Sequence, residues 1–280
     1  MRKISTLVVS VLCMMMPVGA EAQVPTAFVS KGATDIQAQP HTITQTNSGA
    51  QWAPIDPMVR SITMDDGLPS NAVRSVVQGS KGYMWFGTDN GLCRFDGYDV
   101  KTYYNPFTTV DQFVSALTAC EEGLLVGCNN GAYLFCNATD RFQKLSDKIT
   151  APVLNFSLDG DQNIWISTNG QGVFRFNRTT HELHQYPMKN IQGKVQSTLV
   201  DANNQVWMLC NHGGASIYHL NKSTDQFEAF PLKGDATMFY GMAMLAAPDG
   251  NLYVGTWENG LYKLNADGSA EQLISGTLSN

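Results

Sequence analysis

Short segments rich in Asn and Gly recur along the sequence and carry most of its candidates for chemistry. Amide and carboxylate groups form directional hydrogen bonds, and an aromatic face stacks on sugar C–H groups, so together they suit a neutral carbohydrate. The candidate ligand-binding residues in these segments are Asp89, Asn129, Asn211, His212, Trp257 and Glu258. Asn and Gly also tolerate positive φ at chain reversals, which is an alternative reason for the repeated Asn residues. Turn geometry does not require Trp257, Glu258 or His212, and these three are therefore the better candidates.

Catalysis is less favoured by the sequence than binding. A glycosidase uses two positioned carboxylates, but Asp89 and Glu258 are single acids in two different turns. Other acids stand in Asp- and Gly-containing turns that we expect at the opposite end of the strands, namely Asp159, Asp161, Asp201 and Asp249. The sequence has no CxxC motif and no His pair at metal-ligand spacing. We therefore predict that the chain is not an enzyme and holds no metal or cofactor.

The candidate residues follow short apolar runs that repeat at a regular spacing. The runs are centred on Trp85, Leu125, Trp165, Trp207 and Tyr253, which lie 40, 40, 42 and 46 residues apart. A period of roughly 40–50 residues built from short strands is typical of β-propeller blades. A helical solenoid can share this period, but these units lack a long stretch of helical periodicity.

Each unit divides into four strand-length runs, which predicts an all-β fold. We expect a partial β-propeller of four-stranded antiparallel blades over residues 58–280. Its five blades cover about 72–104, 113–145, 153–186, 195–230 and 238–274. Large residues at the five repeat centres, together with Phe95, Phe135, Phe176, Leu220 and Leu264, are expected to pack between blades. Residues 276–280 resemble 67–71 and predict the start of a sixth unit, so we expect a fragment or truncated product. Residues 58–63 alternate like a strand that would complete the outer edge of a final blade.

The N-terminal sequence indicates the cellular location of the protein, and its charge limits the classes of ligand. Residues 1–22 read as a signal peptide, with Arg2 and Lys3, an apolar run over 4–16 and an Ala-Glu-Ala cleavage pattern. Residues 23–57 read as a flexible leader, and no other segment is long and apolar enough to span a membrane. Net charge is −6 without a Lys/Arg cluster, which argues against nucleic-acid binding. We expect a periplasmic protein whose five cysteines beyond Cys13 are small core residues, with pairing left open.

Three stretches of the first unit resemble a known repeat family. These are 67–73 (Gly-Leu-Pro-Ser-Asn-Ala-Val), 82–88 (Gly-Tyr-Met-Trp-Phe-Gly-Thr) and 91–97 (Gly-Leu-Cys-Arg-Phe-Asp-Gly). They resemble the two-component regulator propeller repeats in the periplasmic sensor region of Bacteroidetes hybrid two-component system histidine kinases. The resemblance implies an oligosaccharide-sensing propeller that works as a homodimer in full-length form and relays to a kinase absent from this sequence. A protein-interaction propeller without a small ligand, or a propeller glycosidase or lyase, remains the alternative.

Overall fold

The computed structural model describes residues 61–107, 112–187, 194–211, 217–233, 241–247, 250–257, 259–265 and 267–274. The predicted signal peptide, the predicted leader and the predicted start of a sixth unit lie outside the described residues. The described chain is almost entirely β-strand, apart from a short 3₁₀ helix over Met64–Asp66. Within these ranges, no helix is both long and apolar enough to cross a bilayer.

Twenty strands form five antiparallel sheets, and each sheet uses four strands that are consecutive in the chain. Blade 1 contains β1 (Val73–Gln78), β2 (Met84–Thr88), β3 (Gly91–Phe95) and β4 (Val100–Tyr103), and blade 2 contains β5 (Val114–Ala119), β6 (Gly123–Cys128), β7 (Gly131–Cys136) and β8 (Arg141–Lys144). Blade 3 contains β9 (Val153–Leu158), β10 (Asn163–Thr168), β11 (Gly172–Asn177) and β12 (Leu183–Tyr186). Blade 4 contains β13 (Lys194–Val200), β14 (Val206–Asn211), β15 (Ile217–Asn221) and β16 (Gln226–Ala229), and blade 5 contains β17 (Gly241–Ala246), β18 (Leu252–Thr256), β19 (Leu261–Leu264) and β20 (Ala270–Ile274).

The five sheets stand side by side in chain order. Their first strands form the inner edge, where β1 contacts β5, β5 contacts β9, β9 contacts β13 and β13 contacts β17. Four hydrophobic clusters fill the spaces between consecutive blades. Trp85, Leu125 and Trp165 are each at most 2% exposed and face the next blade in the chain. The predicted fold class, a partial propeller of four-stranded antiparallel blades, is confirmed.

The two end blades each keep one outward face. Phe95 on blade 1 and Tyr253 on blade 5 are half-buried, although we expected both to pack between blades. The equivalents of Phe95 in later blades pack against the preceding blade, and the equivalents of Tyr253 in earlier blades pack against the following blade. Within the described ranges, blade 1 has no preceding sheet and blade 5 has no following sheet. Leu245, beside Tyr253 in the sheet, is accordingly 56% exposed.

The predicted outer strand over residues 58–63 is wrong in its described part. Residues 61–63 belong to no strand, because Thr63 caps the 3₁₀ helix instead. Its backbone N–H donates to the carboxylate of Asp66 (2.9 Å), and its Oγ1 accepts from the N–H of Asp65 (3.2 Å). This reciprocal cap satisfies donors that a strand would have turned toward a partner strand.

In each of two pairs of neighbouring blades, an aspartate of one blade accepts hydrogen bonds from side chains of the other. In the turn before β16, Asp225 accepts both guanidinium nitrogens of Arg175 (2.8 and 3.0 Å) and the hydroxyl of Tyr186 (2.7 Å) from blade 3. In the turn before β8, Asp140 accepts Nζ of Lys101 (3.0 Å) and the hydroxyl of Tyr103 (3.3 Å) from blade 1. These contacts fix the outer strands of one blade to the next.

A second repeated device closes the turn between the first two strands of blades 3 and 4. Asp159 Oδ1 accepts the N–H groups of Asp161 and Asn163, each at 2.9 Å, while its Oδ2 accepts the indole N–H of Trp165 at 2.8 Å. Asp201 makes the same set of bonds, including one from the indole of Trp207 at 2.9 Å. One carboxylate therefore shapes the turn and orients the large ring that packs on the next blade.

Candidate functional site

Every inner strand carries one extra residue at the same register position. In blade 1, Val73 pairs with Thr88 and Ser75 pairs with Gly87, so Arg74 has no position of its own opposite β2. The other four blades repeat this shift, and the extra residues are Arg74, Ser115, Leu154, Gln196 and Met242. A β-bulge of this kind bends the strand and re-aims a side chain, and bulges are frequent beside binding sites.

The bulged residues lie next to the turns that join the second and third strands. Antiparallel pairing places the start of each inner strand beside the end of the second strand, where these turns begin. The residues four positions after the repeat centres lie in these turns or, for Asn211, at the end of the second strand; they are Asp89, Asn129, Asn169, Asn211 and Trp257. We call these five residues and the five bulged residues the turn-end set. Four of the six candidates from the sequence belong to it.

In blade 1 the turn-end set contains an ion pair. Arg74 Nε lies 2.6 Å from Asp89 Oδ1, and Arg74 Nη2 lies 2.9 Å from Asp89 Oδ2. The guanidinium also lies 5.6 Å from the ring centroid of Phe113, within the range of a cation–π contact. Both oxygens of Asp89 therefore have a cationic partner within the protein.

Blade 4 has an amide pair at the same two positions. Asn211 Nδ2 donates to Gln196 Oε1 at 2.8 Å. The Oδ1 atom of Asn211 is buried and accepts no hydrogen bond from the part of the chain that the structure describes. In blades 1 and 4 the bulged residue therefore contacts the same position at the end of the second strand, through an ion pair in blade 1 and through a neutral hydrogen bond in blade 4.

Three aromatic side chains are exposed near this end of the blades, and one of them, Tyr104, directly follows β4 and is 58% exposed. Trp257 is 50% exposed, and Asn129, its register equivalent in blade 2, is half-buried. Phe107, in the segment after β4, is 51% exposed and stacks on Tyr133 with ring centroids 5.5 Å apart. The Tyr133 hydroxyl donates to Asn130 Oδ1 at 3.0 Å, in the turn that contains Asn129. Burial raises the pKa of Tyr133, so its hydroxyl stays protonated.

The structure spreads the candidate residues over four blades. Asp89 lies in blade 1, Asn129 in blade 2, Asn211 in blade 4 and Trp257 in blade 5, all at the same end of their sheets. His212 and Glu258 lie outside the described residues. Sequence reasoning missed Arg74, Gln196 and Phe107, although the position of Tyr133 two residues after an Asn-Asn-Gly turn was a usable signal for the aromatic pair. In the described ranges, no three His, Cys, Asp or Glu side chains are grouped to hold a metal ion.

One protein family matches part of the first blade. Residues 67–90 match the family described as the two component regulator propeller. This segment is similar to a two-component regulator propeller repeat. The resemblance predicted from the sequence is therefore confirmed, and the matched segment ends in the turn that contains Asp89. No curated protein is significantly similar in sequence to the chain.

Solved structures share the fold at low sequence identity. The extracellular domain of a putative hybrid two component system from B. thetaiotaomicron superimposes with a TM-score of 0.65 at 18% identity over 77% of this chain and 32% of that chain. A second such domain from B. thetaiotaomicron gives 0.64 at 19% identity over 75% of this chain and 28% of that chain. This chain therefore spans about a third of those extracellular domains.

An enzyme is also among the structural neighbours. Inactive virginiamycin B lyase from Staphylococcus aureus, crystallised with quinupristin, gives a TM-score of 0.64 at 15% identity over 76% of this chain and 73% of that chain. At such identities the likeness concerns the fold, because the same propeller scaffold carries unrelated functions.

Proposed function

We propose that this chain is the ligand-sensing propeller of a hybrid two-component system and acts in the periplasm. The observation that carries the proposal is the match of residues 67–90 to the two-component regulator propeller. The likeness to extracellular domains of two putative hybrid two component systems agrees with it. In this proposal the chain recognises a ligand and passes the signal to a histidine kinase outside this sequence, with homodimerisation of the full-length protein as the means of relay.

The ligand that best suits the turn-end set is a neutral oligosaccharide. Trp257 offers a half-exposed aromatic face, and Gln196 and Asn211 form a half-buried amide pair at the same end of the sheets. Asn129 adds an amide at the same end of the sheets. Stacking platforms combined with fixed amides bind hydroxyl-rich ligands without requiring charge. We include His212 and Glu258 in the proposed site on their sequence positions alone.

The chemistry of Asp89 argues for binding over hydrolysis. A glycosidase needs one carboxyl group as an acid and another as a base or nucleophile. Both carboxylate oxygens of Asp89 are instead occupied by the guanidinium of Arg74, at 2.6 and 2.9 Å. We therefore propose that Asp89 has a structural role in its turn and that the chain has no hydrolase activity.

Calorimetric titration of the purified chain with a panel of neutral oligosaccharides tests the proposal. We expect Trp257→Ala to weaken binding by at least about fivefold, since an aromatic stacking contact contributes roughly 1–3 kcal/mol. Tyr98→Ala is the matched control, because Tyr98 is 85% exposed and precedes β4 at the opposite end of blade 1.

Three results would count against the carbohydrate proposal. Equal affinity in wild type and Trp257→Ala would remove Trp257 from the site. Release of reducing sugar would indicate a hydrolase. Capture of a periplasmic protein without any oligosaccharide binding would favour the interaction-platform alternative.

A further inference from the structure

A cavity of about 220 Å³ lies between blades 2 and 3, away from the turn-end set. Its floor is apolar and buried, with Leu125 and Ile164 each 1% exposed and Phe176 6% exposed. Leu134 and Leu145 form its wall, and more polar residues form its rim, namely Glu122, Gln143, Lys144, Arg178 and His181. Arg178 Nη1 lies 3.1 Å from Glu122 Oε2, so these two rim charges neutralise one another.

The cavity coincides with a break in the repeated aromatic packing. In blades 1 and 3, the second-strand ring stands opposite an arginine on the third strand, as Trp85 with Arg94 and Trp165 with Arg175. The same register pair in blade 2 is Leu125 with Leu134. Two leucines therefore occupy the positions where blades 1 and 3 present a tryptophan and an arginine.

At two more positions of this interface, a leucine stands where adjacent blades have an aromatic residue. Tyr103 and Tyr186 pair with the second residue of the third strand in blades 1 and 3. The backbone N–H of Leu145 bonds to the equivalent residue of blade 2, so Leu145 takes the place of the tyrosine. Leu183 of blade 3 likewise stands where blades 2 and 4 have Phe142 and Phe227.

The neighbouring interfaces show what normally fills this space. Between blades 1 and 2, the ring centroids of Trp85 and Tyr103 are 5.6 Å apart. Between blades 3 and 4, the Trp165 centroid is 5.5 Å from that of Tyr186 and 6.0 Å from that of Phe227. The interface between blades 2 and 3 has leucines at all three positions, and the cavity lies against two of them, Leu125 and Leu145.

The polar residue beside these rings also differs between the interfaces, being an aspartate at two of them and a histidine between blades 2 and 3. Asp140 and Asp225 stand at positive φ (54° and 52°) and accept the tyrosine hydroxyls. His181, at φ 58°, holds the corresponding turn position before β12 and lines the cavity. An imidazole can donate or accept, so it can serve a ligand hydroxyl or ring N–H.

We propose that this cavity binds a small planar aromatic molecule, between phenol and indole in size, with its polar atom directed to His181. The bound ring would replace the rings that the adjacent interfaces supply from their own side chains. Apolar protein cavities near 150 Å³ accept benzene, so a volume of about 220 Å³ is sufficient for one such ring. This site is independent of the proposed oligosaccharide site.

The test is calorimetric titration of the purified chain with indole and with phenol. We expect both to bind, and we expect Leu125→Trp to weaken indole binding at least tenfold while raising the melting temperature, because the new ring fills the cavity. Leu245→Trp is the matched control, since Leu245 is 56% exposed on blade 5 and lies away from the cavity. Should Leu125→Trp fail to fold, Leu145→Tyr makes the same test by restoring the tyrosine.

The role of His181 has its own readout. We expect His181→Ala to weaken phenol binding severalfold and to leave toluene binding unchanged, since toluene has no polar atom for the imidazole. No indole or phenol binding at millimolar concentration, or equal indole affinity in wild type and the filled variants, would overturn the proposal. Oligosaccharide affinity should be the same in all these variants, so failure here is distinguishable from failure of the proposed function.

Discussion

Arg74 and Asp89 form a two-point ion pair that joins the bulge of an inner strand to the neighbouring hairpin turn. The distances are 2.6 Å from Nε to Oδ1 and 2.9 Å from Nη2 to Oδ2. A two-point arginine–carboxylate contact fixes orientation as well as distance. The shape of this turn, in the segment that matches the two-component regulator propeller, therefore depends on a residue fifteen positions earlier.

Loss of this pair should have a small effect on stability. The two side chains are 34% and 35% exposed, so we expect Asp89→Ala to lower the free energy of unfolding by roughly 0.5–1 kcal/mol. Urea denaturation measures the change. Lys233→Ala is the control, since Lys233 and Asp267 are 63% and 58% exposed and their pair should contribute nothing measurable. Equal losses in both variants would contradict the special role of the bulge contact.

The hydroxyl of Tyr186 should stabilise the contact between blades 3 and 4. Removing it in Tyr186→Phe loses the 2.7 Å bond to Asp225, and we expect a cost of about 1 kcal/mol. Tyr103→Phe removes the equivalent bond between blades 1 and 2, which is 3.3 Å long, and should cost less. Thermal unfolding of both variants beside wild type decides the order, and a larger loss for Tyr103→Phe would refute it.

Asp225 should make stability depend on pH in the acid range. Burial alone would raise the pKa of Asp225, but hydrogen bonds from Arg175 and Tyr186 outweigh burial and hold the pKa below its ordinary value. Its stabilising contribution is therefore complete above about pH 4, where the unfolded carboxyl is ionised, and is lost as pH falls through the lower folded pKa. Urea unfolding at pH 7 and pH 3 should show Asp225→Asn less stable than wild type at pH 7 and closer to it at pH 3. A constant difference would contradict this.

The aspartates that hold the tryptophan indoles should differ in importance. Trp165 is 1% exposed, so Asp159→Ala would leave a buried N–H without its acceptor and should cost about 2–3 kcal/mol. Trp207 is half-buried, so Asp201→Ala should cost less because water can reach its indole. Asn203→Ala is a control, since this residue contacts Asp201 through its backbone N–H. Equal costs for the two aspartates would show that turn geometry, and not the indole bond, sets the effect.

One cysteine of the five that the structure describes should react ahead of the others. Burial raises the pKa of Cys93 and of Cys120 to about 11 and that of Cys210 to about 12, which keeps these thiols protonated. A hydrogen bond from Thr139 lowers the pKa of the half-buried Cys136. Brief treatment with iodoacetamide at pH 8, followed by peptide mass spectrometry, should locate the label at Cys136, and Cys136→Ser should abolish it. Early labelling of Cys210 would contradict its burial.

The strands were predictable because two independent signals agree at most of their boundaries. Turn residues mark the ends of the runs and apolar residues fill them, so the predicted strand over 153–158 coincides with β9 (Val153–Leu158). None of the five cysteines in the described ranges forms a disulfide, and Cys136 differs from the other four in being only half-buried. The outward position of Phe95 and Tyr253 could not be predicted from residue type, because exposure there depends on which sheet stands alongside.

The chemistry of the candidate site was less accessible to sequence reasoning. A bulge adds one residue to a strand without any characteristic residue type, and here the five extra residues are all different. The partner of Asp89 therefore could not be inferred from spacing. Leu125 stood out in the sequence as a departure from the repeat, but the cavity follows only from coincident changes on two adjacent blades.

The repeated bulge has a consequence for how such repeats diversify. Duplication of a unit copies the kink together with the strand, so each new copy inherits one position that the ladder of backbone bonds does not constrain. Arginine, serine, leucine, glutamine and methionine now occupy the five copies. Single substitutions at this position can thus alter the surface at this end of the propeller one unit at a time and leave the scaffold intact.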